Sequence, residues 1–92
     1  MWDKGIIEIG KDTFIYHAKV FALPSELGIN CGRISKLEIR RQSDDAIVVQ
    51  YDRGWVVRPK TKVEELALQQ VLDTMVLYAG YIYHNRIYIN RM

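Results

Sequence analysis

Helical periodicity occurs in one stretch of this sequence, and that stretch governs what the chain can become. Residues 61–80 read TKVEELALQQVLDTMVLYAG. Thr61 followed by Glu64 forms a capping box, in which the hydroxyl accepts from the amide three residues on and the carboxylate reaches back to the cap amide. Glu64 and Glu65 stand at the positive end of the helix dipole. Leu68, Val71, Leu72, Met75 and Ala79 recur at helical spacing and predict one buried stripe, and Gly80 is placed to end the helix. Leu66 and Leu77 fall outside that stripe, among Gln69, Gln70 and Asp73. They predict a second covered surface, supplied by the tail or by a second subunit.

The chain before this helix alternates. GIIEIG and TFIYHAKVF read as two strands around a Gly10-Lys11-Asp12 turn. Phe14, Tyr16, Ala18 and Val20 share one face of the second strand, and Ile15, His17 and Lys19 the other. ALPSELGINCG is a loop rich in turn residues. RISKLEIRRQ is a third strand, with Leu37 and Ile39 on one side and Lys36, Glu38 and Arg40 on the other. A turn at QSDD leads to a fourth strand, AIVVQY. DRG makes a tight reversal with a positive φ expected at Gly54, and WVVR is a short fifth strand ended by Pro59. Strands followed by one amphipathic helix predict an α+β fold: an antiparallel sheet of four to five strands, the helix on one face, and a short β-like tail. Residues 1–80 are expected to form one domain and residues 81–92 a Tyr-rich extension.

Ninety-two residues suffice for a single small domain. The net charge is only +2, and both signs are interspersed, which falls short of a nucleic-acid footprint. The one cysteine, Cys31, admits no internal disulfide and fits a reducing compartment, so a cytoplasmic location is expected. No apolar run approaches the ~18 residues of a membrane span, and the start, MWDKGIIEIG, has no secretory pattern.

GINCGRIS, residues 28–35, resembles a phosphate loop without meeting its requirements. Such a loop needs four residues between its glycines, then Lys and a hydroxyl residue directly, opening a helix. Here three residues separate Gly28 from Gly32, Arg33 stands for Lys, Ile34 intervenes before Ser35, and a strand follows. The glycines are expected to form a compact turn. Cys31 with His17 or His84 lacks an activating third group and any metal-ligand spacing. Asp44-Asp45 and Asp52 sit in turns, where aspartate serves the backbone. The chain is therefore expected to be no enzyme and to hold no cofactor or metal.

Two surfaces remain for a macromolecular partner. Arg33, Lys36, Arg40 and Arg41 cluster around the third strand, and Ile15, His17, Lys19, Val48 and Gln50 are expected to join its polar face. With Arg86 these cations offer phosphate contacts, so a nucleic-acid-binding accessory protein is the alternative reading. The central strands of that face present no aromatic on which bases would stack. The tail, YIYHNRIYINRM, crowds Tyr81, Tyr83 and Tyr88 around His84, Asn85 and Arg86, a composition found where proteins meet. The expected partner-binding residues are thus Tyr81, Tyr83, His84, Arg86, Tyr88, Arg33, Lys36, Arg40, Leu66 and Leu77. A homodimer through the tail or the helix is a further expectation.

The segments AKVF, PSELGI, GRISKL and YDRGW, with Trp2 near the start, resemble a family of small uncharacterised proteins of Gram-positive bacteria and their phages. The resemblance covers residues 2–62, with the helix following in register, and leaves out the tail. It implies no catalytic role for GRISKL or YDRGW. It implies a setting: a small intracellular phage or prophage protein that binds a host or phage protein, for example to inhibit a host defence system such as a CRISPR effector.

Overall fold

The computed structural model describes residues 2–80. Strands β1 (Trp2–Ile9) and β2 (Asp12–Val20) form a hairpin, and β3 (Ile34–Arg41), β4 (Ile47–Asp52) and β5 (Trp55–Val57) continue it. All neighbours are antiparallel and lie in chain order, so the sheet is a five-stranded meander. Helix α1 (Lys62–Gly80) crosses one face, packing on β1, β2 and β4. The predicted α+β arrangement is what the chain adopts. The tail, 81–92, lies outside the described residues.

The first turn is one residue shorter than the sequence predicted. Ile9 pairs with Asp12, leaving only Gly10 and Lys11 in the turn. Gly10 has φ 61°, the left-handed value that a II′ hairpin requires at its first central residue and that suits the strands' right-handed twist. The third reversal also differs. The positive φ falls on Arg53, at 57°, and not on Gly54. The Arg53 amide donates to the Ser35 carbonyl and the Asp52 amide to the Gly54 carbonyl, each at 2.8 Å. Those two bonds set the peptide orientation at the turn and place the strain on Arg53.

Alternation puts Ile7, Phe14, Tyr16, Leu37, Ile39, Val49 and Tyr51 in the core beneath the helix. The helix is rotated from its predicted setting. Glu64, Ala67, Val71 and Thr74 are buried, while Leu68 and Leu72 are only partly so. Ala67, fully buried and small, lets the helix backbone approach the sheet. Glu64 is drawn inward because its carboxylate has three tasks. It accepts from the amides of Lys60 at 2.7 Å and Thr61 at 3.3 Å, and it meets Arg41 of β3 at 3.7 Å. The Glu64 amide in turn donates to the Thr61 hydroxyl at 3.1 Å, completing the predicted capping box. The side chains of Met75, Leu77 and Ala79 lie outside the described residues.

A second carboxylate is buried on the hairpin. Asp3 is 3 % exposed and accepts a hydrogen bond from the Tyr16 hydroxyl at 3.0 Å. Gly5, paired with Tyr16 across the hairpin, makes room for the ring: a Cβ there would lie 2.8 Å from a ring carbon. Tyr16 is itself buried and has nowhere to retreat. Gly5→Ala is therefore expected to destabilise the fold by about 1–3 kcal/mol through overpacking, read as a lower urea midpoint at unchanged m-value. Unchanged stability would show that the ring is not confined.

Candidate partner-binding face

Among the described residues no element covers the second face of the sheet. Strand parity sends Trp2, Lys4, Ile6 and Glu8 of β1 to that face, opposite Lys19, His17, Ile15 and Thr13 of β2. Lys36, Glu38 and Arg40 of β3 and Gln50 and Asp52 of β4 continue it. Towards one end the face is hollowed. Trp2, His17, Lys36, Glu38, Gln50 and Asp52 line an open depression of about 380 Å³. Val48, expected on this surface, is buried, in a segment where the β3–β4 register shifts.

Lys19 and Lys36 stand directly opposite each other across β2 and β3. Like charges so placed repel, and each ammonium is accommodated elsewhere. Lys36 Nζ lies 3.9 Å from an Asp52 carboxylate oxygen. Lys19 Nζ lies over two rings, 5.9 Å from the Trp2 centroid and 5.4 Å from that of Phe21, within range of cation–π attraction. The rings it joins are unusually open for their type: Trp2 is 58 % and Phe21 44 % exposed. An apolar and aromatic corner thus borders a polar hollow.

Arg40 and Arg41 are similarly held. Arg40 Nε donates to Glu38 at 2.6 Å, and Arg40 Nη1 reaches Asp45 at 3.4 Å. The hydrogen bond to Glu38 is the largest cause raising the Arg40 pKa above its ordinary value, with desolvation opposing it. Arg41 forks onto both oxygens of Asp44 at 3.0 Å each. The acidic pair Asp44-Asp45 is therefore divided between two arginines, and both carboxylates brace the β3–β4 turn.

The glycine loop is spoken for internally. The amides of Ser25, Gly28 and Gly32 donate to the carbonyls of Gly32, Ser25 and Ile29, each at 2.9 Å. The Leu27 amide donates to the Ser25 hydroxyl at 3.0 Å, and the Tyr51 hydroxyl donates to the Leu27 carbonyl at 2.7 Å. Ile29 is buried and anchors a short 3₁₀ turn, Ile29–Cys31. The amides of Ser25, Leu27, Gly28 and Gly32 are thus engaged within the loop, which forms the compact turn expected.

The predicted partner-binding residues separate accordingly. Lys36 and Arg40 share the open face. Arg33 is half-buried just before β3. Leu66 is 43 % exposed on the helix side, with Ile9, Gln69, Gln70 and Asp73 around a second shallow hollow. Tyr81, Tyr83, His84, Arg86 and Tyr88 lie outside the described residues, as does the Leu77 side chain. His17 is exposed on the open face. Among the described residues no group of three or more His, Cys, Asp or Glu could hold a metal ion, and no helix is long and apolar enough to cross a membrane. Trp2 and Phe21 are binding candidates that the sequence alone did not single out, although alternation sets Phe21 on the same side as His17 and Lys19. The pairing of Trp2 with Lys19 was readable only from the turn length.

Hydrogen bonding to Arg41, then to the Ala46 amide, holds the Asp44 carboxyl below its ordinary value. A depressed carboxyl stabilises the fold above its unfolded pKa, and that contribution is lost as pH falls through the folded one. A carboxyl-carbon NMR titration is expected to place Asp44 below the usual aspartate range, and Arg41→Gln is expected to move it back up. An Asp44 titration unaffected by Arg41→Gln would contradict the assigned cause.

A family model described as a domain of unknown function (DUF7678) matches residues 1–76. No curated protein and no solved structure matches the chain.

Proposed function

Since the chain belongs to the DUF7678 family, whose description names no activity, we propose from its geometry that it is a non-enzymatic binding protein whose open sheet face docks another protein. The observation that carries this reading is the pairing of an uncovered face with an exposed aromatic corner at Trp2 and Phe21. Exposed tryptophan beside a polar hollow offers large apolar contact with a hydrogen-bonding surround, the composition of an interface hot spot.

Charge favours protein over nucleic acid as the ligand. The face sets Lys4, Lys19, Lys36 and Arg40 against Glu8, Glu38 and Asp52. Lys36 and Arg40, the two cations at its centre, are already paired with carboxylates. Phosphate binding gains its affinity from cations that displace condensed counterions, and a cation held by a neighbouring carboxylate contributes less. In the setting that the resemblance implies, the partner is a host or phage protein. Occupying a functional surface of that partner, as an inhibitor of a host defence system does, is the mode of action put forward.

Affinity capture from host cells, with and without nuclease, tests the reading when wild type is compared with Trp2→Ala and Lys36→Glu. A protein retained through nuclease treatment and released by both substitutions is expected. Trp2→Ala is expected to weaken its binding about thirtyfold or more, the scale of a hot-spot truncation. Capture abolished by nuclease, with affinity falling steeply in salt, would instead assign the face to nucleic acid. Capture indifferent to both substitutions would remove the face from the function.

A further inference from the structure

We infer that two copies of this chain join edge to edge through β1, antiparallel, making one continuous ten-stranded sheet from two five-stranded ones. Among the described residues no strand lies beyond β1. It is eight residues long, whereas the opposite edge, β5, has three and is followed closely by Pro59. A long open edge is a template for a further strand, and a short one blunted by proline is not.

The charge pattern of β1 selects a second copy as the occupant. Lys4, Ile6 and Glu8 share the open face of the strand, and Lys4 and Glu8 are both exposed. This triplet is its own complement. An antiparallel register centred on Ile6 sets Ile6 against Ile6 of the second copy, Lys4 against its Glu8, and Glu8 against its Lys4. All three contacts fall on one face, because directly opposite residues in a ladder point the same way. An unrelated strand would have to bring the inverse charge order, whereas a second copy always does.

The backbone requires the same register independently. In an antiparallel ladder, alternate residues aim their amide and carbonyl to opposite sides. Ile9 and Asp12 close the two-residue turn between β1 and β2, so the odd-numbered residues of β1 direct these groups at β2. The even-numbered residues, Lys4, Ile6 and Glu8, direct theirs outward. Centring on Ile6 pairs even residues with even residues, so outward groups meet outward groups. On the helix side the same register brings Gly5 opposite Ile7 of the second copy. Leu66, exposed beside Ile9 along this edge, gains cover. The twofold axis runs through the sheet plane, so the two open faces lie side by side on the same surface.

Sedimentation of the full chain over a range of concentrations tests the inference, with circular dichroism to confirm that each variant is folded. Wild type is expected to dimerise. Lys4→Glu alone, or Glu8→Lys alone, sets like charges together at both symmetry-related contacts and is expected to raise the dimer Kd about tenfold or more. Lys4→Glu combined with Glu8→Lys restores opposite charges and is expected to recover the wild-type Kd. Ile6→Lys, which opposes two ammonium groups across the axis, is expected to be monomeric. A wild-type monomer at every concentration, single variants as tight as wild type, a double variant no tighter than the singles, or a dimeric Ile6→Lys would each overturn it.

Discussion

The register of the first hairpin sets the terms for the rest of the molecule. Gly10 takes a left-handed φ, the turn closes in two residues, and Trp2 is thereby opposed to Lys19. Side-chain direction in a strand has period two, so a shift of one residue would exchange the two faces of β1 relative to β2. A three-residue turn would oppose Trp2 to Val20, a core residue. The same parity carries Asp3 inward to the Tyr16 hydroxyl and places Gly5 under the Tyr16 ring. It also sends Lys4, Ile6 and Glu8 to the open face together. Core, open face and edge chemistry all follow from one glycine dihedral.

Helix α1 imposes the second constraint. A helix of this size covers part of one face of a five-stranded sheet, and the polar alternation of β2 and β3 makes the other face tolerable in water. That face is not simply solvated, however. Lys19 and Lys36 are forced together by the β2–β3 register and find relief in different directions, one over aromatic rings and the other against Asp52. The rings that shelter Lys19 are consequently held at the surface. An exposed tryptophan ordered by a cation is better prepared for a partner than one free to rotate, because less side-chain entropy remains to be lost on binding.

The glycine-rich segment shows how a sequence that resembles a ligand loop is used for folding instead. Its Ser25, Leu27, Gly28 and Gly32 amides are turned inward to nearby acceptors, the Tyr51 hydroxyl ties it to the core, and Ile29 is buried beneath it. The acidic turn behaves likewise. Asp44 is committed to Arg41, Arg41 to Glu64, and Glu64 to the Lys60 and Thr61 amides just before the helix, so one relay of charge connects the β3–β4 turn to the helix start. Asp44, Asp45 and Glu64 are here engaged in holding the β3–β4 turn and the start of the helix in place.

Local patterns determined the strands, the capped helix, the α+β class and the compact turn at the glycine loop, because each depends on spacing or chemistry within a few neighbouring residues. Lys36 and Arg40 were legible as members of one polar face for the same reason. What only the tertiary structure decided was everything requiring knowledge of distant partners. The helix turned towards Ala67 and Glu64 because close approach and the charge of Arg41 outweighed the larger leucines. The left-handed residue moved from Gly54 to Arg53 because a carbonyl on β3 held its amide. Trp2 became a surface residue because the turn closed one residue early. Leu66 came to lie beside Ile9 through packing of the helix against an edge strand far away in sequence. Hydrogen bonds and close packing between remote segments outweigh local preference, and those contacts exist only once the chain has folded.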